Sequence, residues 1–424
     1  MSGLALVARE LGAQVSGSDR APDSPYLRSA GLDVAAHDAA NVPADAQLVV
    51  SSAIPPDNPE RVIARERGQR ELHRAELLGE MTRLRPTIAV TGTHGKTTTS
   101  SMLVHLMRGC GLDPAYLVGG EVRSTGSNAG WGAGEWLIVE ADESDRSLLK
   151  LAPRIAVLTN AELDHHATYA SQRDVDDTFR AFLDMADHVV LGDEPDITRF
   201  RGTVARPEHV ELAPGGSRFS VDGVPVALEV PGEHNARNAA AALAAAALAG
   251  APPAAAADAL ASFTGAGRRF ERVGTTPAGA QVVDDYAHHP TEVRATLAAA
   301  RTLGPRRVVA VFQPHLFSRT ARQHREFGAA LALADAVVVL DVYPARERAE
   351  DYPGVTGRLI AEAAADAAGG RPVAWLPDFD AAERYLRGEL RDGDLLLTLG
   401  AGNVDALGRR LVQGSDPGRR SAQS

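Results

Sequence analysis

Thr87-Ile-Ala-Val-Thr-Gly-Thr-His-Gly-Lys-Thr-Thr-Thr-Ser100 is the stretch on which the reading of this chain turns. Thr87–Val90 has the short apolar, β-branched run of a buried strand. Glycines at 92 and 95 follow, and Lys96 opens a helical pattern. Such a loop lets backbone amides approach phosphate oxygens at a helix N-terminus. The candidate phosphate-binding residues are therefore Gly92, Thr93, His94, Gly95, Lys96, Thr97 and Thr98. Lys96 is placed to reach the β- and γ-phosphates of ATP, and the Thr97 hydroxyl to ligate Mg²⁺. The strict eight-residue pattern has glycine where this chain has Val90, so the match is to the shorter Gly-x-x-Gly-Lys-Thr form. The strand before it and the helix after it set it apart from an ordinary glycine-rich turn.

Outward from this loop the chain alternates strand and helix patterns. Downstream, Trp136–Glu140, Ile155–Thr159 and His188–Leu191 are apolar runs of the kind found in parallel sheets. Function in such sheets gathers at carboxyl ends of strands. Those ends carry Thr91, the acidic cluster Glu140-Ala-Asp-Glu-Ser-Asp145, and Asn160-Ala-Glu-Leu-Asp-His165. Hard carboxylate oxygens suit Mg²⁺, and His165 is a candidate metal ligand or phosphate-orienting group.

Upstream, Leu4, Val7, Ala8 and Leu11 form one face of a helix that Gly12 ends. Strands are predicted at Gln14–Asp19 and Ala46–Val50, and Arg83–Pro86 reads as a linker. Further on, Asn238–Ala261 reads as two Ala-rich helices broken by Gly250 and Pro252-Pro253. Gly265-Ala-Gly267 marks a boundary. Strands follow at Gln281–Val283, Arg307–Phe312, Ala336–Leu340 and Leu395–Leu399. The predicted fold class is α/β in three domains. Residues 1–85 form an incomplete Rossmann-like domain, 86–264 a central P-loop ATPase-type domain, and 265–424 a C-terminal Rossmann-like domain. The tail after Gly414 reads as polar and frayed.

The composition sets bounds on the partners. The chain has 424 residues and a net charge of -11, which argues against a nucleic-acid backbone as partner. The single cysteine, Cys110, reads as a small residue near a helix end and fits a reducing, cytoplasmic setting. No apolar run reaches the ~20 residues that span a bilayer, and the N-terminus lacks the pattern of a signal peptide. No membrane partner is expected.

Two more clusters lie at predicted strand ends of the last domain. Asp284-Asp-Tyr-Ala-His-His-Pro290 combines Asp285 and His288. Phe312-Gln-Pro-His-Leu-Phe-Ser-Arg319 offers His315 and Arg319. An arginine there can hold a carboxylate by a two-pronged contact.

The motifs taken together resemble the Mur ligases, the ATP-dependent amide-forming enzymes of peptidoglycan synthesis. They are Thr91-Gly-Thr-His-Gly-Lys-Thr, Glu140-Ala-Asp-Glu-Ser, Asn160-Ala-Glu-Leu-Asp-His, Gly232-Glu-His-Asn-Ala-Arg-Asn-Ala239, Gly267-Arg-Arg-Phe270, Asp284-Asp-Tyr-Ala-His-His-Pro and Phe312-Gln-Pro-His. They keep order and spacing over nearly the whole chain. The resemblance is to members that add L-alanine to UDP-N-acetylmuramate, working as a monomer or homodimer. It implies carboxylate activation by ATP through an acyl phosphate, then attack by the amine. Carried over by motif, Lys96 binds phosphates. Thr97 ligates one Mg²⁺, and Glu140 and His165 a second. His234, Asn235 and Asn238 line the adenine, and Arg269 and Asp285 close on ATP. His288, His315 and Arg319 surround the amino acid, while Asp19, Ser51 and Ser52 contact the UDP moiety.

Sister ligases carry a carbamylated lysine after the Asp-His motif. The corresponding Asp177-Thr-Phe-Arg-Ala-Phe-Leu183 has none. The tripeptide-adding recycling ligase shares Asp-Tyr-Ala-His-His-Pro and is the nearest rival. A P-loop kinase is a third reading. Relatives open with a strand and a Gly-rich loop ending in Met-Ser-Gly-Leu-Ala, where this sequence begins. The first domain is therefore predicted to lack that strand and loop, with an inactive nucleotide-binding form as the alternative.

Overall fold

The protein is described by a computed structural model that covers residues 1–20, 22, 31–166, 168–195 and 197–413. The predicted frayed tail after Gly414 lies outside the described residues. The chain forms two compact units. One comprises Met1–Glu208, Ser220–Val226 and Arg237–Phe263. The other comprises His209–Phe219, Ala227–Ala236 and the described chain from Thr264 onward.

The first unit opens with helix α1 (Ser2–Glu10) and two short parallel strand pairs. These are β1 (Gly17–Ser18) with β2 (Val34–Ala35), and β3 (Leu48–Val50) with β4 (Glu71–His73). Helix α2 (Pro59–Glu66) starts at Asn58, whose side chain accepts the Glu60 and Arg61 amides. Helix α3 (Arg74–Met81) starts at His73, with Glu76 returning the capping bond. The strands predicted at 14–19 and 46–50 thus shrink to the residues that find a partner strand. In α1 the buried residues are Gly3, Leu6 and Val7, while Leu11 is the exposed C-cap. Gly3 faces Leu117 and Ala129, so the helix rests on its glycine edge as well as on its leucines.

The main sheet of this unit has seven strands in the order β11-β10-β9-β5-β8-β6-β7. They are β5 (Thr87–Thr91), β6 (Ala115–Val122), β7 (Ser127–Trp131), β8 (Leu137–Glu140), β9 (Ile155–Leu158), β10 (His188–Leu191) and β11 (Thr203–Val204). All neighbours are parallel except the hairpin β6–β7. Strand β5 lies between β8 and β9, with Val90 opposite Glu140 and Thr91 opposite Leu158. That register brings the phosphate loop and both polar clusters to the same carboxyl end of the sheet. Helix α4 (Lys96–Gly109) follows the loop and buries Thr97 through Val104. Cys110 caps its end, and burial raises the thiol pKa. Helix α5 (Gln172–Leu183) packs Val175, Phe179 and Phe182 into the core.

Strands β12 (Glu208–Ala213), β13 (Gly216–Val221) and β14 (Val224–Leu228) form a separate three-stranded sheet. The Ala-rich stretch is two helices, α6 (Glu233–Leu248) and α7 (Pro253–Leu260).

The second unit is built on a six-stranded sheet in the order β15-β16-β20-β17-β18-β19. Its strands are β15 (Glu271–Thr275), β16 (Gln281–Asp285), β17 (Arg307–Phe312), β18 (Ala336–Val339), β19 (Val373–Trp375) and β20 (Asp394–Leu399). Only β15 runs antiparallel. Helices α8 (Pro290–Thr302), α9 (Phe317–Leu331), α10 (Gly357–Ala367), α11 (Phe379–Glu389) and α12 (Asp405–Val412) complete the unit. Asp285 and Phe312 both pair with Leu399, so the segments after them leave the sheet at the same level. No helix among the described residues is long and apolar enough to cross a membrane.

Helix α3 depends on a small residue at its contact with the chain beyond the acidic cluster. A Cβ at Gly79 would lie 2.4 Å from the Lys150 carbonyl oxygen. Gly79→Ala is expected to destabilise the first unit by about 1–3 kcal/mol, read as a lower urea midpoint. An unchanged midpoint would contradict this packing.

Candidate active site

The phosphate loop is shaped by two glycines that no other residue replaces. Gly92 has φ 133°, and a Cβ there would lie 2.1 Å from Thr159 Oγ1. Gly95 has φ 80°, with Asn238 Oδ1 2.6 Å from the same position. The chain after β9 pins the loop through polar bonds. The Thr93 hydroxyl donates to the Glu162 carbonyl at 2.9 Å and accepts the Glu162 amide at 2.9 Å. The His94 amide donates to Asn160 Oδ1 at 2.8 Å, and Asn160 Nδ2 returns a bond to the His94 carbonyl at 3.0 Å.

Lys96 begins α4 and turns its ammonium back over the loop. It donates to the Gly92 carbonyl at 2.6 Å, the Thr93 carbonyl at 3.1 Å and Glu143 Oε1 at 3.0 Å. Burial works against its charge, but Glu143 and then Glu140 outweigh it and hold the lysine pKa above its usual value. Thr97 Oγ1 donates to both Glu140 oxygens, at 3.1 and 3.0 Å, and the Gly119 amide donates to Oε2 at 2.8 Å. A hydroxyl and a carboxylate side by side are hard oxygen donors of the type Mg²⁺ takes. His165 stands at φ 51°, with Nε2 3.2 Å from Glu143 Oε1 and 3.7 Å from Asp164 Oδ2.

Glu143 is the residue that motif reading passed over. It lies in the quoted acidic cluster, three places beyond Glu140, but only the folded chain shows that it joins Lys96 to His165. Arg74 is the second such residue. Its guanidinium lies 3.0 Å from Asp142 Oδ2 and 2.8 Å from Asp145 Oδ2, tying α3 to the acidic cluster. Burial works against the Asp142 charge, yet Lys96, the bonds from Ser144 and Arg74 hold its carboxyl below the usual range. Ser52 meets this junction, with Oγ 3.4 Å from Asp145 Oδ2 and 3.1 Å from His73 Nε2. Ser51 is half-buried beside it, Asp19 is exposed at the end of β1, and Thr98 is buried on α4.

The second unit has its own cluster at the level set by Leu399. Arg268, at φ 56°, donates to Asp284 Oδ2 at 2.9 Å and to the Gly400 and Gly402 carbonyls at 2.8 Å each. Asp285 accepts the Phe270 and Ala287 amides at 2.8 Å each. Burial dominates its titration. Against Arg269 and both amides, it pushes the carboxyl pKa up to about 6. Arg269 lies over the Tyr286 ring, with Nη1 3.8 Å from Glu292 Oε1. The His288 ring packs edge-on to His315, which stacks on Tyr343. Arg319 is buried in the first turn of α9, and the N-cap Leu316 takes φ 72°. Asn235 Nδ2 donates to the Pro231 carbonyl at 2.8 Å, and the His234 ring lies close against Gly232.

The sequence candidates therefore form two sets. Lys96, Thr97, Glu140, His165, Asn238, Asp19, Ser51 and Ser52 belong to the first unit. His234, Asn235, Arg269, Asp285, His288, His315 and Arg319 belong to the second.

A phosphate loop with an acidic partner, followed by a second α/β unit with its own strand-end cluster, is the architecture of an ATP-dependent ligase. The chain belongs to the Mur ligase family. Residues 1–85 match its description "Mur ligase family, catalytic domain", 90–246 the "Mur ligase middle domain" and 268–402 the "Mur ligase, glutamate ligase domain". The chain is similar to the UDP-N-acetylmuramate–L-alanine ligase of Streptomyces coelicolor, with 46% identity covering 97% of this chain and 94% of that one. The ligase of the same name from Kineococcus radiotolerans is 47% identical over 97% and 93% of the two chains. Among solved structures, the UDP-N-acetylmuramate-alanine ligase of Thermotoga maritima superimposes with a TM-score of 0.83 at 28% identity, covering 97% and 96%. A murein peptide ligase from Psychrobacter arcticus shares the fold, with a TM-score of 0.71 at 24% identity over 97% and 96% of the chains.

The raised Asp285 pKa has a signed consequence. The folded protein holds this proton more tightly than the unfolded chain, so its contribution to stability falls as pH rises from about 4 to about 6. Relative to Asp285→Asn, the parent protein is expected to lose about 2–3 kcal/mol across that window. Urea unfolding of both proteins at pH 4 and pH 7 measures it. A pH-independent difference would contradict the shift.

Proposed function

We propose that this protein joins L-alanine to the carboxylate of UDP-N-acetylmuramate at the expense of ATP, in the cytoplasm, as a step of peptidoglycan precursor synthesis. The observation that carries this reading is the match to named alanine-adding ligases at 46 and 47% identity over nearly the whole chain. Helix α5, which carries no lysine, also supports alanine addition over the sister reactions.

A muramate carboxylate oxygen attacks the γ-phosphorus of ATP, and the bond from that phosphorus to ADP breaks. The acyl phosphate then meets the amine of L-alanine, which attacks the acyl carbon. The tetrahedral intermediate collapses, the carbon–oxygen bond to phosphate breaks, and the amine proton leaves to solvent. Two anions must be brought together, and Lys96 supplies a fixed positive charge for them. Thr97 would hold one Mg²⁺, and Glu140 and His165 a second. Bound there, the ions would offset phosphate charge. In the second unit, Arg319 would hold the alanine carboxylate, flanked by His288 and His315. Arg269 and Asp285 would serve the phosphates, and His234, Asn235 and Asn238 the adenine. Asp19, Ser51 and Ser52 would meet the UDP moiety.

Phosphate release is expected to require UDP-N-acetylmuramate, L-alanine and ATP together. L-Alanine is expected to exceed glycine and serine by about 10-fold or more in kcat/KM. Lys96→Met should lower kcat by about 10²-fold or more. Release that ignores the amino acid, or a Lys96→Met enzyme with full turnover, would sink this reading.

A further inference from the structure

Glu143 is 2% exposed, yet the two titratable side chains its carboxylate meets among the described residues, Lys96 and His165, belong to the phosphate site. Lys96 Nζ lies 3.0 Å from Oε1 and 2.8 Å from Oε2, with the directed hydrogen bond going to Oε1. His165 Nε2 lies 3.2 Å from that same Oε1. One carboxylate therefore sets the distance between an ammonium reaching from helix α4 and an imidazole reaching from the chain after β9.

The backbone of Glu143 is held as firmly as its side chain. Its carbonyl accepts the Tyr169 hydroxyl at 2.6 Å, and Tyr169 is itself buried. The next carbonyl, that of Ser144, accepts the Thr168 hydroxyl at 2.6 Å. The amides of Thr168 and Tyr169 in turn donate to the His165 carbonyl, at 2.7 and 3.1 Å. The turn that presents His165 thus also clamps the residue its imidazole touches. A carboxylate buried this deeply is unfavourable unless its partners and geometry are closely matched. Here the partners are side chains of the candidate site rather than of the surrounding core.

We infer that Glu143 is a positioning residue for phosphoryl transfer. It fixes Lys96 and His165 relative to each other, so that the ammonium and the imidazole both stand at set places when the transferring phosphoryl group arrives. The inference rests on the ligase reading above. Small errors in the placement of such groups weigh on the transition state more than on nucleotide binding.

The test uses the full chain and begins with amide formation by the parent protein. If no amide forms, the ligase reading fails whatever the variants do. If it forms, Glu143→Gln, which keeps the shape and loses the charge, is expected to lower kcat by ~30-fold or more. KM for ATP, and the calorimetric Kd of a non-hydrolysable ATP analogue, should each stay within ~3-fold. Glu143→Asp, which keeps the charge at a shorter reach, should fall between the two. A Glu143→Gln kcat within ~3-fold of the parent, or equal losses in kcat and analogue affinity, overturns the inference. Should Glu143→Gln fail to fold, Tyr169→Phe decides. It removes the bond to the Glu143 carbonyl and is expected to lower kcat by ~3- to 10-fold at unchanged KM. An unchanged kcat in that variant overturns the inference.

Discussion

The ammonium of Lys96 lies largely out of water against the carboxylate of Glu143, and much of the first unit is arranged to make that tolerable. A lysine out of water loses its charge unless a counter-charge stands beside it. Glu143 supplies that charge at 2.8 Å, Glu140 reinforces it, and the Gly92 and Thr93 carbonyls take further ammonium protons. The pair exists only because β5, β8 and β9 are neighbours in register. Lys96 opens the helix after the β5 loop, Glu140 ends β8 with Glu143 in the turn beyond it, and the chain after β9 carries the histidine. A positive charge held this way is in place before any phosphate arrives, which is what electrostatic catalysis requires.

The second unit solves a related problem with the opposite sign. Asp284 and Asp285 are both buried at the end of β16, and burial raises the pKa of each. Arg268 answers Asp284 with a directed bond and anchors itself on two carbonyls of the segment after β20. Asp285 is answered by the nearby charge of Arg269 and by two backbone amides, which burial outweighs, so its carboxyl is pushed up to about 6. The two aspartates are adjacent in sequence but differ in chemistry because their partners differ.

Much of the fold was legible because buried strands announce themselves as apolar runs. His188–Leu191 and Arg307–Phe312 emerge with the bounds read from sequence. The hairpin β6–β7 was not legible. It carries Gly119, Gly120 and Gly130, and Gly119 and Glu121 meet solvent, so its apolar run stops after Val118. The mostly exposed β12 hid for the same reason. In the site, Lys96 and Thr97 could be read from local pattern, since loop and helix are adjacent in sequence, and Glu140 because an apolar strand ends on it. Glu143 and Arg74 could not. Their importance lies in contacts across 47, 68 and 71 residues, which no local periodicity encodes.

Activation by ATP requires the transfer of a carboxylate oxygen to phosphorus, which isotopic labelling follows directly. UDP-N-acetylmuramate bearing ¹⁸O in its carboxylate would be turned over with ATP and L-alanine, and the released phosphate weighed by mass spectrometry. An acyl phosphate places one carboxylate oxygen in each phosphate released, so labelled phosphate should appear in step with the amide. Amide formed alongside wholly unlabelled phosphate would contradict activation by phosphoryl transfer, and with it the role assigned to the charge held on Lys96.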